Sequence, residues 1–350
     1  MTKELAKRLC TQGIRPMLLS KLLNELKYYS GITQKADIQP VAEILAQGFR
    51  CDSHPNGDDT AVIETNNGFD LLATEGFLTQ FVEHDPWFAG WCGLMVNISD
   101  IASMGGRPTA VVNALWGSGD QRCLQIIQGL VDASNVYKVP IVGGHTNLQS
   151  TDNQLSVSIL GRAKKILSSF AAEPGHDLVV VIDLRGEYRP PFLNWNASTT
   201  SPPQRLREDL ELLPYVAENN LAKAAKDISQ AGILGTALML LESSEVGADI
   251  ALERIPKPHN VSWHDWLRSF PSFGYLFTCP QQETQQLIRT FENRDISASH
   301  IGSIKHKRSL DVSYYEQQAT FWDLNTQALT GMLATNNSIT KTMKSKATIS

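Results

Sequence analysis

Apolar positions along the first thirty-five residues recur at helical spacing. Leu5 and Leu9 stand four apart and predict a short helix with one apolar face. After Gly13 and Pro16, the stripe Leu18, Leu19, Leu22, Leu23 and Leu26 predicts a second helix that docks on a core or a partner. Beyond about residue 58 the pattern turns mixed. Thr60–Glu64 and Asp70–Thr74 read as paired strands, with Asn66, Asn67 and Gly68 as the turn. Trp87–Met104 reads as a helix closed by Gly105 and Gly106 ahead of Pro108. Thr109–Trp116 is a predicted strand, Asp120–Tyr137 a helix, and Val139–Val142 a strand ending in Gly143 and Gly144. Leu155, Val157 and Ile159 alternate along a strand predicted over Gln154–Ala163.

The second half repeats the mixture. An apolar strand is expected at Asp177–Leu184, helices over 207–230 and 233–244, and strands at Ala248–Arg254, Gly274–Thr278 and His300–Ile304, with a helix at Gln282–Asn293. Two successive blocks of intermingled strands and helices predict an α/β protein with two domains. Residues 186–206 form a long stretch rich in Pro, Asn, Ser and Thr, which is either a functional lid or a surface connection. In it, Trp195 offers a ring for stacking, and Arg189, Asn194 and Asn196 offer polar groups.

A chain of 350 residues with 42% hydrophobic and 19% charged residues has room for two cores. Net charge of −5 gives no general nucleic-acid surface. No apolar run is long enough to cross a bilayer, and the first residues lack a secretory signal pattern, so a cytoplasmic location is expected. The five cysteines are scattered and never spaced CxxC, which reads as reduced, mostly buried thiols rather than a disulfide framework or zinc site. Neither GxGxxG nor the P-loop pattern is present, so those two nucleotide sites are not indicated.

Four clusters carry candidate chemistry. Asp58 and Asp59 follow a Pro-Asn-Gly turn; they are either a solvated turn or a pair of hard oxygen ligands for Mg²⁺. Asn97 and Asp100 lie three apart on an apolar helix, so they share a face and need partners. Gly143 and Gly144 allow close backbone approach to a ligand, and His145 next to them can meet a phosphate or move a proton. Asp227 and Ser229 precede a helix start, where unpaired N–H groups can meet an anion or Ser229 can cap.

Taken in order, Asp58-Asp59, LLATE, NISDIASMGGRP, VGGHT, DISQAGILG and VGADIALERIP resemble the superfamily of aminoimidazole ribonucleotide synthetase, thiamine-monophosphate kinase, selenophosphate synthetase and the hydrogenase-maturation protein of that fold. FGYLFTCP and HIGSI match the way the second domain of that fold closes. The resemblance covers about residues 40–310 and implies a two-domain AIR-synthase-like α/β fold. Its boundaries would be a helical extension over 1–35, an ATP/Mg-binding domain over 36–170, a second α/β domain over 171–332 and a disordered tail over 333–350. It further implies a homodimer formed through strands of the first domain, with ATP and Mg²⁺ as cofactors. Asp58, Asp59, Glu75, Asp100 and Asp227 would hold the metal. Asn97, Gly143, Gly144, Thr146 and Ser229 would join Asp58, Asp59 and Asp100 around the nucleotide, and Asp227 and His145 would act in catalysis.

Three departures stand out. Glu75 replaces the Asp usual in thiamine-phosphate kinases, Gln230 and Ala231 replace an Asp-Gly pair, and His145 replaces another Asp. The implied activity is phosphoryl transfer to, or ATP activation of, a small metabolite. The alternative is a non-catalytic nucleotide-binding or regulatory protein of the same fold.

Overall fold

The computed structural model describes residues 18–45, 48 and 54–333. The expected helix around Leu5, Cys10, Cys51 and most of the tail therefore lie outside the described residues. The chain forms the expected α/β mixture. Its described residues separate into two compact units, one of residues 56–168 with 197–220, the other of 18–45, 48, 54–55, 169–196 and 221–333. Residues 197–220 group with the earlier part of the chain in these contacts. No helix among the described residues is long and apolar enough to cross a membrane.

The first unit is built on a five-stranded sheet of order β1-β2-β5-β3-β4. Its strands are β1 (Ala61–Thr65), β2 (Gly68–Gly76), β3 (Arg107–Trp116), β4 (Ile141–Asn147) and β5 (Gln154–Ala163). The predicted hairpin is present, with Thr65 opposite Gly68. β4 runs parallel to β3; the other neighbours are antiparallel. Leu155, Val157 and Ile159 point inward from β5, as their alternation requires, and meet the helices Pro86–Ser103 and Gln121–Tyr137.

The helix Pro86–Ser103 is buried nearly all round, so it has no polar face to spare. Asp85 caps its start by accepting from Phe88 N, and Pro86 occupies the first helical position. Gly105, at φ +77°, ends it. Gly105 N donates to Ala102 O and Gly106 N to Ile101 O, the paired bonds of a Schellman turn. The sequence expectation for this helix and its glycine exit is met.

Residues 197–220 supply the helices Pro203–Leu210 and Leu212–Glu218. Arg107 ties them to the sheet, donating to Glu211 and Glu218 at 2.7 Å each. The Arg107 bond holds the Glu218 carboxyl below its ordinary value against the opposing effect of burial. That tie is present above the usual glutamate range and is lost only as acid protonates Glu218.

The second unit carries a seven-stranded sheet of order β15-β14-β10-β13-β6-β12-β9 and a small sheet of order β11-β8-β7. The large sheet comprises β6 (Asp177–Ile182), β9 (Ala224–Asp227), β10 (Gly247–Ala251), β12 (Gly274–Cys279), β13 (Ser297–Lys305), β14 (Ser309–Tyr314) and β15 (Gln317–Asp323). The small one comprises β7 (Glu187–Tyr188), β8 (Asn194–Asn196) and β11 (Phe270–Pro271). Helix Leu19–Lys27 buries Leu19, Leu22, Leu23 and Leu26 in this unit's core; Leu18 lies before the helix and stays exposed.

Several expectations are corrected here. Ala224–Asp227 is a strand, not part of a helix over 207–230. Its alanines favour helix, but β12 offers an open edge whose backbone pairs with it. Gly143, Gly144, His145 and Thr146 lie inside β4 rather than beyond a strand end. The hairpin β14–β15 goes unread in the sequence, although Leu310, Val312 and Tyr314 alternate. Lys305 bonds Asp249 at 2.6 Å and Asp311 at 2.5 Å. Trp195 is not a free stacking surface. It is buried edge-on against Tyr188 and Trp266, and its indole N–H donates to Asp183 O at 3.2 Å. Cys92, Cys123 and Cys279 are buried thiols outside any disulfide, as expected, and burial pushes the Cys279 thiol up to about 11.

Candidate functional site

The helix Pro86–Ser103 carries a polar stripe at three-residue spacing: Asn97, Asp100 and Ser103. Spacing of three keeps such side chains on one face. All three are buried, at 0%, 6% and 0% exposure. Asn97 Nδ2 donates to Gly93 O at 2.8 Å, which fixes the orientation of its amide. Asn97 Oδ1 is buried and has no hydrogen-bond partner among the described residues. An unpartnered carbonyl oxygen in such a place is costly and asks for a ligand or water.

Asp58, Asp59 and Thr60 lead into β1 beside the C-terminal end of this helix. Ser103 Oγ lies 2.6 Å from Asp59 Oδ2 and 2.8 Å from the backbone O of Asp100. Ser168 Oγ lies 2.6 Å from Asp58 Oδ2. Asp59 N donates to Asp58 Oδ1 at 3.3 Å. Asp58 and Asp59 are half-buried, not open on a solvated turn. Thr60 Oγ1 is buried and unpartnered among the described residues. The first unit therefore brings together Asp58, Asp59 and the Asp100 end of the stripe. Carboxylates at the carbonyl end of a helix add their charge to its negative pole, which suits a cation.

The other sequence candidates lie on other elements. Glu75 is half-buried on β2, in step with Leu71 and Ala73, which face the helices; its backbone O accepts from Ser156 Oγ at 3.0 Å. Gly143, Gly144, His145 and Thr146 are exposed on the edge strand β4. A side chain at Gly144 would meet Asn113 O at 2.5 Å, so that glycine is required by the neighbouring strand whatever it does for a ligand. Asp227 and Ser229 belong to the other unit. Asp227 ends β9, opposite Tyr275, and is buried. Ser229 does not cap the helix Gly232–Ser243, whose N-cap is Ala231 with no side-chain bond. Ser229 N donates to Thr236 Oγ1 at 3.3 Å, and its own hydroxyl is buried without a partner among the described residues.

Among the described residues no three His, Cys, Asp or Glu side chains form a group that could hold a metal ion. The donors at the helix end are all oxygens, which fits Mg²⁺. That ion usually takes one or two carboxylates and fills its shell with water and phosphate oxygens. Sequence reasoning missed Ser103 and Ser168. Ser103 had a signal, because it extends the Asn97–Asp100 spacing by three more residues. Ser168 had none, since only folding brings it to Asp58.

A family model described as AIR synthase related protein, N-terminal domain, matches residues 57–163, and the corresponding C-terminal domain matches 184–315. The chain belongs to the AIR synthase related family. An uncharacterized protein of Synechocystis sp. is 42% identical over 318 residues, covering 90% of this chain and 98% of its own. The thiamine-monophosphate kinase of Pyrococcus abyssi is 31% identical over 262 residues, 68% of this chain and 81% of the kinase. A solved structure of T. maritima PurL complexed with ATP shares the fold at a TM-score of 0.67 and 18% identity. It is matched over 91% of this chain, which spans 53% of that longer PurL chain. The AIR-synthase-like fold expected from the sequence is thereby shown.

Proposed function

We propose that this protein binds ATP with Mg²⁺ and transfers a phosphoryl group to, or activates, a small metabolite. The observation that carries the reading is the helix end where Asp59 meets Ser103, itself bonded to the Asp100 carbonyl, and Asp58 meets Ser168, with the buried, unpartnered Asn97 Oδ1 on the same stripe. Family membership supports the ATP part.

In this reading Asp58, Asp59 and Asp100 hold the metal, with Glu75 and Asp227 as further carboxylates. Bound Mg²⁺ would cancel phosphate charge and align the terminal phosphoryl group. Asn97, Gly143, Gly144, Thr146 and Ser229 contact the nucleotide. The backbone of β4 is exposed along its edge and can donate to phosphate oxygens. Asp227 and His145 are the proposed proton carriers. A second copy of the chain is proposed to cover the outer face of the five-stranded sheet, where Ile63, Leu72 and Val112 are exposed apolar residues. A strictly monomeric sedimentation profile at micromolar concentration would remove that dimer.

A non-catalytic nucleotide-binding role is favoured by one observation. After Asp227 the loop carries Gln230 and a fully buried Ala231, with no further carboxylate before the helix. Turnover separates the two readings. Incubation with ATP, Mg²⁺ and a panel of hydroxyl-, amine- and phosphate-bearing metabolites is expected to give acceptor-dependent ADP or phosphate release. Tight ATP binding without release under any acceptor favours the regulatory reading.

A further inference from the structure

The geometry points to Ser103 and Ser168 as positioning residues that hold the Asp58–Asp59 pair, so that the Mg²⁺-dependent part of nucleotide binding rests on two hydroxyls that need not touch the ligand. The inference builds on the Mg²⁺–ATP reading of the same site. Each serine takes one aspartate: Ser168 Oγ sits 2.6 Å from Asp58 Oδ2 and Ser103 Oγ 2.6 Å from Asp59 Oδ2. Distances this short are those of hydroxyl donors to charged oxygens.

Ser103 has two acceptors and one hydrogen. A serine inside a helix ordinarily donates back to a carbonyl three or four residues earlier. The Asp100 carbonyl is in place for that, 2.8 Å away. A carboxylate is the stronger acceptor, so the hydrogen goes to Asp59 while that group is charged. When a cation takes up the charge of Asp59, the same hydrogen can turn to Asp100 O without moving a heavy atom. Ser103 thus couples the aspartate to the helix that carries Asp100.

Ser168 is fixed to the same helix by a different route. Leu167 N donates to Met104 O at 3.1 Å, which stitches the chain just before Ser168 to the residue just after Ser103. Two neighbouring carboxylates repel, and the Asp59 N–H that donates to Asp58 Oδ1 at 3.3 Å does not by itself bring both to the helix end. The two hydroxyls do so, and both are anchored to one helix end.

The test is titration of a non-hydrolysable ATP analogue into wild type, Ser103→Ala and Ser168→Ala, each with Mg²⁺ and each with EDTA, alongside thermal melting. Wild type is expected to bind more tightly with Mg²⁺. Each alanine variant should lose about tenfold of that metal-dependent gain, the usual scale for a group that orients a metal ligand. Its affinity in EDTA should be unchanged. Equal weakening with and without metal, or no weakening, would overturn the positioning role, because a general structural defect moves both affinities. Ser168 is half-buried, so its variant stands if the fully buried Ser103 variant fails to fold. Absence of any Mg²⁺ gain in wild type would instead sink the Mg²⁺–ATP reading itself, and the positioning role with it.

Discussion

Replacing Asp59 with asparagine is expected to cut Mg²⁺-dependent ATP turnover on the order of a hundredfold or more, a loss of about 2.7 kcal/mol in transition-state stabilisation. The protein should stay folded. Asparagine has the shape of aspartate and keeps an oxygen for the Ser103 hydroxyl, which lies 2.6 Å from Asp59 Oδ2. It also removes one of two adjacent negative charges, so the repulsion within the Asp58–Asp59 pair falls. The expected melting temperature is therefore equal to wild type or slightly higher. Turnover and melting are read on the same preparation. Full turnover in Asp59→Asn would contradict the metal role, whereas loss of both turnover and folding would show a structural one.

The second large effect lies in the other unit, at Glu242. This carboxylate is 1% exposed, on the helix Gly232–Ser243. It accepts from the backbone N–H of Leu329 and Thr330 at 2.7 Å each, from Gly331 at 3.3 Å, and from the Thr330 hydroxyl at 2.6 Å. A buried charge is tolerable when donors surround it in this way. Glu242→Ala leaves three backbone donors and a hydroxyl without their acceptor. Each unsatisfied group costs about 1–3 kcal/mol, but the 329–331 segment can turn some of them to water, so the expected total is about 3–5 kcal/mol. Glu242→Gln should fall between, since its amide keeps one acceptor oxygen and brings an NH₂ toward other donors. Denaturant unfolding measures both; a change of less than about 1 kcal/mol for the alanine variant would show that the segment detaches freely.

How much of this was legible in the sequence depends on whether the signal is local. The helix Pro86–Ser103 and its glycine exit were legible because an apolar run, a cap and a Gly-Gly pair all agree. The Thr65–Gly68 hairpin was legible from its Asn-Asn-Gly turn. Ala224–Asp227 was not, because its strand form depends on an edge supplied by residues fifty positions later. Trp195 looked exposed in a Pro- and Asn-rich stretch, yet Tyr188 and Trp266 pack edge-on against it, and Trp266 lies some seventy residues later in the chain. Glu242 carried a hint, a lone carboxylate at the end of the apolar run MLL, but its donors come from residues 329–331.

The candidate site divides the same way. Asp58, Asp59, Asn97 and Asp100 were legible as polar residues at awkward apolar positions; the fold brings Asp59 to Ser103 at the helix end and Asp58 to Ser168, while Asn97 bonds Gly93 O further up the helix. Ser103 was available from the three-residue spacing, while Ser168 and the Asp58 contact exist only through the chain that returns after β5. Gly144 answers first to Asn113 of the adjacent strand, a requirement no pattern in the sequence displays.

One measurement bears most directly on the central claim: a crystal structure with a non-hydrolysable ATP analogue and Mg²⁺. The expected density is an ion about 2.0–2.1 Å from a carboxylate oxygen of Asp58, Asp59 or Asp100 and from a phosphate oxygen of the analogue. An analogue seated elsewhere, with all three aspartates left without a metal, would contradict it.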